Sequence, residues 1–181
     1  MTRQCLVAMI TFTSALLVSP LYAQQNGTPG IKSSLQQQYD RIQHNLIAAA
    51  NDMPESDYSF KPVPAERDFG AWVAHVADAQ TEICSAINGG AKSIHAASMT
   101  SKADLVNALK ESIATCDTAY SGLTEANQLD PVPVFRGKQP RLAALVLNVA
   151  HDNECYGSMA VYMRLKGIVP PSSQPRTGGK R

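Results

Sequence analysis

Apolar residues return at three- and four-residue steps in four separate stretches of the chain, and no stretch alternates with the period of two that a strand requires. The longest such run lies within 140–170, where Leu142, Leu145, Val149, Tyr156, Met159 and Met163 predict a helix over 140–166. Pro140 suits its first turn. Gly167 suits a left-handed stop, and Pro170–Pro171 prevent continuation. The same period over 33–53 (Leu35, Tyr39, Ile42, Leu46, Ala49, Met53) predicts a first helix, capped by Ser33 or Ser34 and stopped near Pro54. A second is expected over 68–88, capped by Asp68, with Trp72, Val76, Ala79, Ile83 and Ile87 as its core seam and Gly89–Gly90 as its end. A third is expected over 102–125, capped by Ser101, with Leu105, Leu109, Ile113, Cys116, Tyr120 and Leu123 inward. The connections 55–67 and 127–139 each carry prolines and are too long for tight hairpins. Tyr58, Phe60 and Val63 in the first are expected to tuck against the helices. The pattern specifies an all-α fold, a single four-helix bundle with long crossover connections, over 33–171.

The ends change the picture. Arg3, the apolar run Cys5–Val18 and Leu21–Tyr22–Ala23 before Gln24 read as a secretory signal peptide over 1–23, cleaved after Ala23. The apolar run falls short of the ~20 residues a membrane span needs, so no stable membrane anchor is expected after cleavage. Residues 24–32 read as a flexible leader and 172–181 as a disordered tail. The expected location is periplasmic or secreted. Formal net charge is +1, and loss of Arg3 with no acid brings the mature chain to 0. With no basic cluster beyond the terminal GGKR, a nucleic-acid partner is not expected.

Export makes the cysteines informative. Without Cys5, three remain: Cys84, Cys116 and Cys155. An odd number in an oxidising compartment suggests one bridge and one leftover thiol. If Cys155 is a ligand, the bridge is Cys84–Cys116; the alternative is three buried, inert thiols. There is no C-x-x-C-H motif for a haem.

Beside the seam of the last helix runs a second stripe: Asn148, His151, Cys155, Ser158 and Tyr162. His151 and Cys155 are four residues apart and share a helix face, a spacing at which two ligands can grip one ion. His75 lies next to the seam of the second helix, with Asp78 three residues on. His44 and His95 read as solvated.

The segments FGAWVAHVADAQ around His75 and HDNECYGSMAVYMRLKGIVPPSS from His151 carry a family resemblance. Over roughly 35–173 the chain resembles the DinB-like superfamily of four-helix bundles, which includes low-molecular-weight-thiol-dependent transferases. The resemblance implies a crossed helix order and a homodimer. It also implies a divalent metal, zinc or nickel, held by one histidine of the second helix and two of an H-x-x-x-H motif on the last. By position these are His75, His151 and a third site that here is Cys155. Imidazole and thiolate both suit zinc, and three protein ligands leave a fourth position open. Glu154 and Asp78 are the candidate catalytic groups, as proton carriers or as acids orienting an imidazole. Two functions follow. One is a metal-dependent hydrolase or thiol-dependent transferase acting on a small molecule. The other is a non-catalytic exported bundle in which Cys155 fills a degenerate metal site and the protein binds a small apolar molecule or a protein partner.

Overall fold

The structure, a computed structural model, describes residues 30–135 and 137–175. The signal sequence expected over 1–23 lies outside them, as does the tail beyond residue 175.

Four helices make up the body: α1 (Ile31–Asp52), α2 (Phe69–Ile87), α3 (Lys102–Ser121) and α4 (Arg141–Leu165). Both α1 and α2 pack against α3 and α4. The consecutive pair α1 and α2 therefore lies across the bundle diagonal, as does the pair α3 and α4. This is why residues 53–68 and 122–140 are long: each must cross an end of the bundle.

Local sequence explains the helix ends. The Asp68 side chain accepts from the Ala71 N–H at 2.7 Å and caps α2. The Ser101 hydroxyl accepts from the Asp104 N–H at 3.0 Å and donates to the Asp104 carboxylate at 2.7 Å, tying off the start of α3. Gly167, at φ 75°, ends α4 as expected. The first helix departs from expectation. It begins at Ile31, inside the expected leader, with Gly30 at the cap position and no side-chain cap bond there. The Ser33 hydroxyl instead donates to the Gly30 carbonyl at 2.9 Å. The third helix stops at Ser121 rather than 125, where Gly122 takes the cap.

Three further expectations are corrected. Residues 127–139 contain a two-stranded antiparallel hairpin, β1 (Pro131–Val134) and β2 (Gly137–Pro140), which pairs Val132 with Gln139 and Val134 with Gly137. Val132 and Val134 bury against the bundle, whereas Pro131 and Pro133 face out. Two alternating positions are too few to register as a strand pattern. Val63 does not tuck in; it is 52% exposed, while Tyr58 is buried and its hydroxyl donates to the Ala50 carbonyl. Residues 171–173, part of them in the expected tail, are held against the bundle. Pro171–Ser173 forms a 3-10 turn, and the Ser172 N–H and hydroxyl meet the Tyr156 hydroxyl at 2.9 Å each.

The α2 seam matches the sequence reading at Val76, Ile83 and Ile87 and departs from it at two positions. Trp72 and Ala79 are only half-buried, and the buried column is Phe69, Val73, Val76, Gln80, Ile83 and Ile87. A glutamine in that column conceals part of it. Cys84 and Cys116 join α2 to α3 by a disulfide, with a Cα–Cα distance of 4.9 Å, and Cys155 is free and buried.

At its centre the bundle is polar. Gln43 of α1, Gln80 of α2, Ser112 of α3, and Asn148 and Asp152 of α4 are all buried. One carboxylate oxygen, Oδ2 of Asp152, accepts from Gln43 Nε2 at 3.1 Å, Gln80 Nε2 at 2.9 Å and Asn148 Nδ2 at 2.9 Å. Gln80 also donates to Gln43 and accepts from the Ser112 hydroxyl, each at 3.0 Å. Every helix is thus tied to one acid. Burying an acid unpaired would cost several kcal/mol, so the ring of donors is what permits it.

Candidate metal centre

One end of that polar core opens into the site. His75 projects from α2 and His151 and Cys155 from α4, and the packing of those two helices brings the three tips together. His75 and His151 face each other through their Nε2 atoms at 3.1 Å. Cys155 Sγ lies 3.6 Å from His151 Nε2. All three ligand atoms lie within 4.8 Å of one another. Both imidazoles are partly exposed, and Cys155 is 2% exposed.

These spacings fit a metal. A tetrahedral zinc with ordinary bond lengths separates two imidazole nitrogens by about 3.3 Å and a nitrogen from a sulfur by about 3.6 Å. The remaining edge, His75 to Cys155, is bounded by the 4.8 Å limit and would have to shorten to match. Two imidazoles and one sulfur suit zinc or nickel and do not suit magnesium or calcium, which take oxygen.

The acid behind the site is Asp152, which the sequence reading passed over. Its second oxygen, Oδ1, is buried with no hydrogen-bond partner and lies 3.7 Å from His151 Nδ1. The carboxylate favours a proton on Nδ1, leaving Nε2 as the atom turned toward His75 and Cys155. The electrostatics agree. Asp152 and then Cys155 push His151 up to about 10, against burial. Burial pushes His75 below its ordinary value, helped by Arg67 and by His151 itself. Burial pushes the Asp152 carboxyl up, opposed by His151 and the amide donors. Asp152 was detectable in principle: Leu145, Val149, Asp152, Tyr156, Met159 and Met163 form an unbroken four-three repeat, so a charged residue occupies a core position.

Of the two acids singled out from sequence, Asp78 is bonded to a neighbouring loop and Glu154 is exposed. Both oxygens of Asp78 are engaged, accepting from the Ala96 N–H at 2.8 Å and the Ala97 N–H at 3.0 Å. Asp78 thereby pins the 3-10 turn Ala96–Ser98 against α2. Glu154 is exposed, and its side chain has no partner among the described residues. His44 and His95 are exposed, as expected.

A groove of about 530 Å³ adjoins α2, and its lining includes Arg67, Asp68, Ala74, His75, Asp78 and Met99. The Arg67 guanidinium lies 4.8 Å from the centre of the Trp72 ring, which in turn lies 6.1 Å from the His75 ring.

The fold and site together define a class: a crossed four-helix bundle carrying a three-ligand cluster between its second and fourth helices. A family model for the DinB superfamily matches residues 38–158. The chain belongs to that superfamily, and all three ligand candidates fall in the matched region. No curated protein matches the chain. Among solved structures it is similar to a DinB-like protein from Bacillus cereus ATCC 10987, at 18% identity and a TM-score of 0.67, over 77% of this chain and 95% of that one. It is also similar to a conserved protein from Enterococcus faecalis, at 14% identity and a TM-score of 0.61, over 76% and 98%. A candidate member of the DinB family from Exiguobacterium sibiricum 255-15 matches at 15% identity and a TM-score of 0.54, over 78% and 95%. At these identities the likeness is one of fold.

Proposed function

We propose that this chain is an exported, divalent-metal-dependent enzyme, a hydrolase or a thiol-dependent transferase acting on a small molecule, with His75, His151 and Cys155 as its metal ligands. The observation that carries the reading is the convergence of two imidazoles and one sulfur, with two of the three edges close to those of a tetrahedral ion. His75, His151 and Cys155 would hold a zinc or nickel ion, which would supply Lewis acidity to a water or a thiol co-substrate.

The chain's own residues have distinct tasks. Asp152 fixes the orientation of His151 from behind. Asp78 holds the loop 96–98 through both oxygens and so shapes the groove wall, while its charge partly offsets the lowering of the His75 pKa. Glu154, unengaged beside Cys155 in sequence, is the candidate proton acceptor. Export is supported by the Cys84–Cys116 disulfide, since such bonds persist in oxidising compartments. Among the described residues no helix is long and apolar enough to cross a membrane.

A second reading draws on one observation. The His75–His151 contact at 3.1 Å is also a satisfactory N–H···N hydrogen bond without any metal, and Cys155 is buried like a small hydrophobe. That arrangement suits a non-catalytic bundle that binds a small apolar molecule or a protein partner. Metal analysis of tag-free protein separates the two. The enzyme reading expects one zinc- or nickel-class ion per chain, lost in Cys155→Ala. The binding-module reading expects metal-free protein and no change on that substitution.

A further inference from the structure

A second groove shares no lining residue with the one beside His75. It lies between α1 and the turn Pro171–Ser173 and has a volume of about 910 Å³. Its lining includes Gln37, Arg41, His44, Asn45, Ser172 and Gln174. Gln37, Arg41 and Asn45 follow at four-residue steps, so they stand one turn apart on a single face of α1. The facing turn is held by side chains of α4. The Ser172 N–H donates to the Tyr156 hydroxyl, which donates to the Ser172 hydroxyl, at 2.9 Å each. Arg164 donates to the Ser173 hydroxyl at 2.9 Å. Both walls are therefore fixed without a ligand, which lowers the cost of binding one.

Asn45 is the unusual member of this lining. It is only 8% exposed, yet its side chain has no hydrogen bond among the described residues. A buried amide is normally paired, because leaving it unpaired is costly. Its two polar atoms are not among those sealed from solvent, so the amide keeps an opening, and that opening is the groove. There it offers a donor and an acceptor together. One turn away, the Arg41 guanidinium has no hydrogen bond or ion pair among the described residues. No acid lines the groove. The acids near it lie outside the lining, Asp40 accepting from Gln36 at 2.8 Å and Asp52 from Gln174 at 3.3 Å. The lining itself thus sets one unpaired positive charge beside one unpaired amide.

We infer that this groove binds a small hydroxylated organic anion, with its oxyanion on Arg41 and a hydroxyl on the Asn45 amide. A guanidinium fits a carboxylate or a phosphate through paired N–H bonds, and the amide can both donate to and accept from a hydroxyl. The site is separate from the metal centre, and its occupancy does not require a metal.

Heteronuclear NMR spectra of the full mature chain, metal-loaded and metal-stripped, read the Asn45 side-chain NH2 directly. The titrants are glycerate, glycerol phosphate, glycerol and inorganic phosphate. At least one of the two organic anions is expected to shift the Asn45 NH2 saturably in both forms, and at least about tenfold more tightly than glycerol or inorganic phosphate. The tighter of the two tells whether the oxyanion is a carboxylate or a phosphate. Arg41→Gln, at an exposed position, is expected to abolish the preference over glycerol. Asn45→Ala, read on the Arg41 backbone N–H, is expected to abolish the preference over inorganic phosphate. The inference is overturned if neither organic anion saturates, if glycerol or inorganic phosphate matches the better of them, or if Arg41→Gln binds like the native chain. Should Asn45→Ala not fold, Arg41→Gln still decides. Binding that disappears on metal removal also overturns the groove and leaves the metal centre standing.

Discussion

Asp152 joins the polar core to the site and carries the sharpest residue-scale consequences. Three amide donors converge on one of its oxygens, so Asp152→Ala leaves buried donors on α1, α2 and α4 without an acceptor. A loss of about 3 kcal/mol or more is expected in urea unfolding. Asp152→Asn keeps the shape but brings an amide among donors, and should fall between native and alanine. His151 sets a pH dependence. Its folded pKa is raised to about 10, from the 6.5 of an unperturbed imidazole. The stabilisation it brings to the metal-free protein is then fully present below about 6.5 and is lost as pH rises through about 10. Metal must displace the same proton, so apparent metal affinity should climb with pH across that window, by up to about tenfold per unit for this group. Isothermal titration of zinc into stripped protein at several pH values checks this; a flat profile contradicts it. His151 and Cys155 were legible from their spacing along α4, and the family resemblance added His75. Asp152 was passed over although the four-three repeat places it in the core, because a charged residue there reads as an interruption until the ring of Gln43, Gln80 and Asn148 shows how it is accommodated.

At the scale of elements, α2 and α3 are held together twice, by packing and by the Cys84–Cys116 disulfide. The bridge closes a loop containing the 3-10 turn that Asp78 pins, so it also steadies one wall of the groove. Replacing both cysteines with alanine should cost ~2–4 kcal/mol. For a domain of this size that corresponds to a fall of roughly 5–15 °C in thermal midpoint. The metal stoichiometry should be unchanged, since neither sulfur is a ligand. Loss of metal in the double variant would show that the site depends on the staple. Helix boundaries were readable where caps are chemical, as at Asp68, Ser101 and Gly167. They were misread at α1, where Gly30 and not a serine stands at the cap. The hairpin 131–140 was missed because only Val132 and Val134 of β1 are buried, and prolines break any longer alternation.

For the whole molecule, the crossed arrangement is what makes the site. Because α1 and α2 lie on one diagonal and α3 and α4 on the other, α2 and α4 become neighbours, and residues 76 positions apart meet. An up-and-down bundle would place α2 between α1 and α3 and keep His75 away from His151. Four amphipathic stretches and two long connections were enough to read the bundle from sequence. The choice of a partly polar centre was not, since Gln43, Gln80, Ser112 and Asn148 each look like ordinary surface residues one at a time. The central claim is that His75, His151 and Cys155 hold a single ion, and elemental analysis of tag-free mature protein tests it most directly. The account predicts close to one zinc- or nickel-class ion per chain in the native protein and none in Cys155→Ala or His75→Ala, with both variants folded by circular dichroism. A folded native protein that carries no metal and takes none up from excess zinc would contradict it.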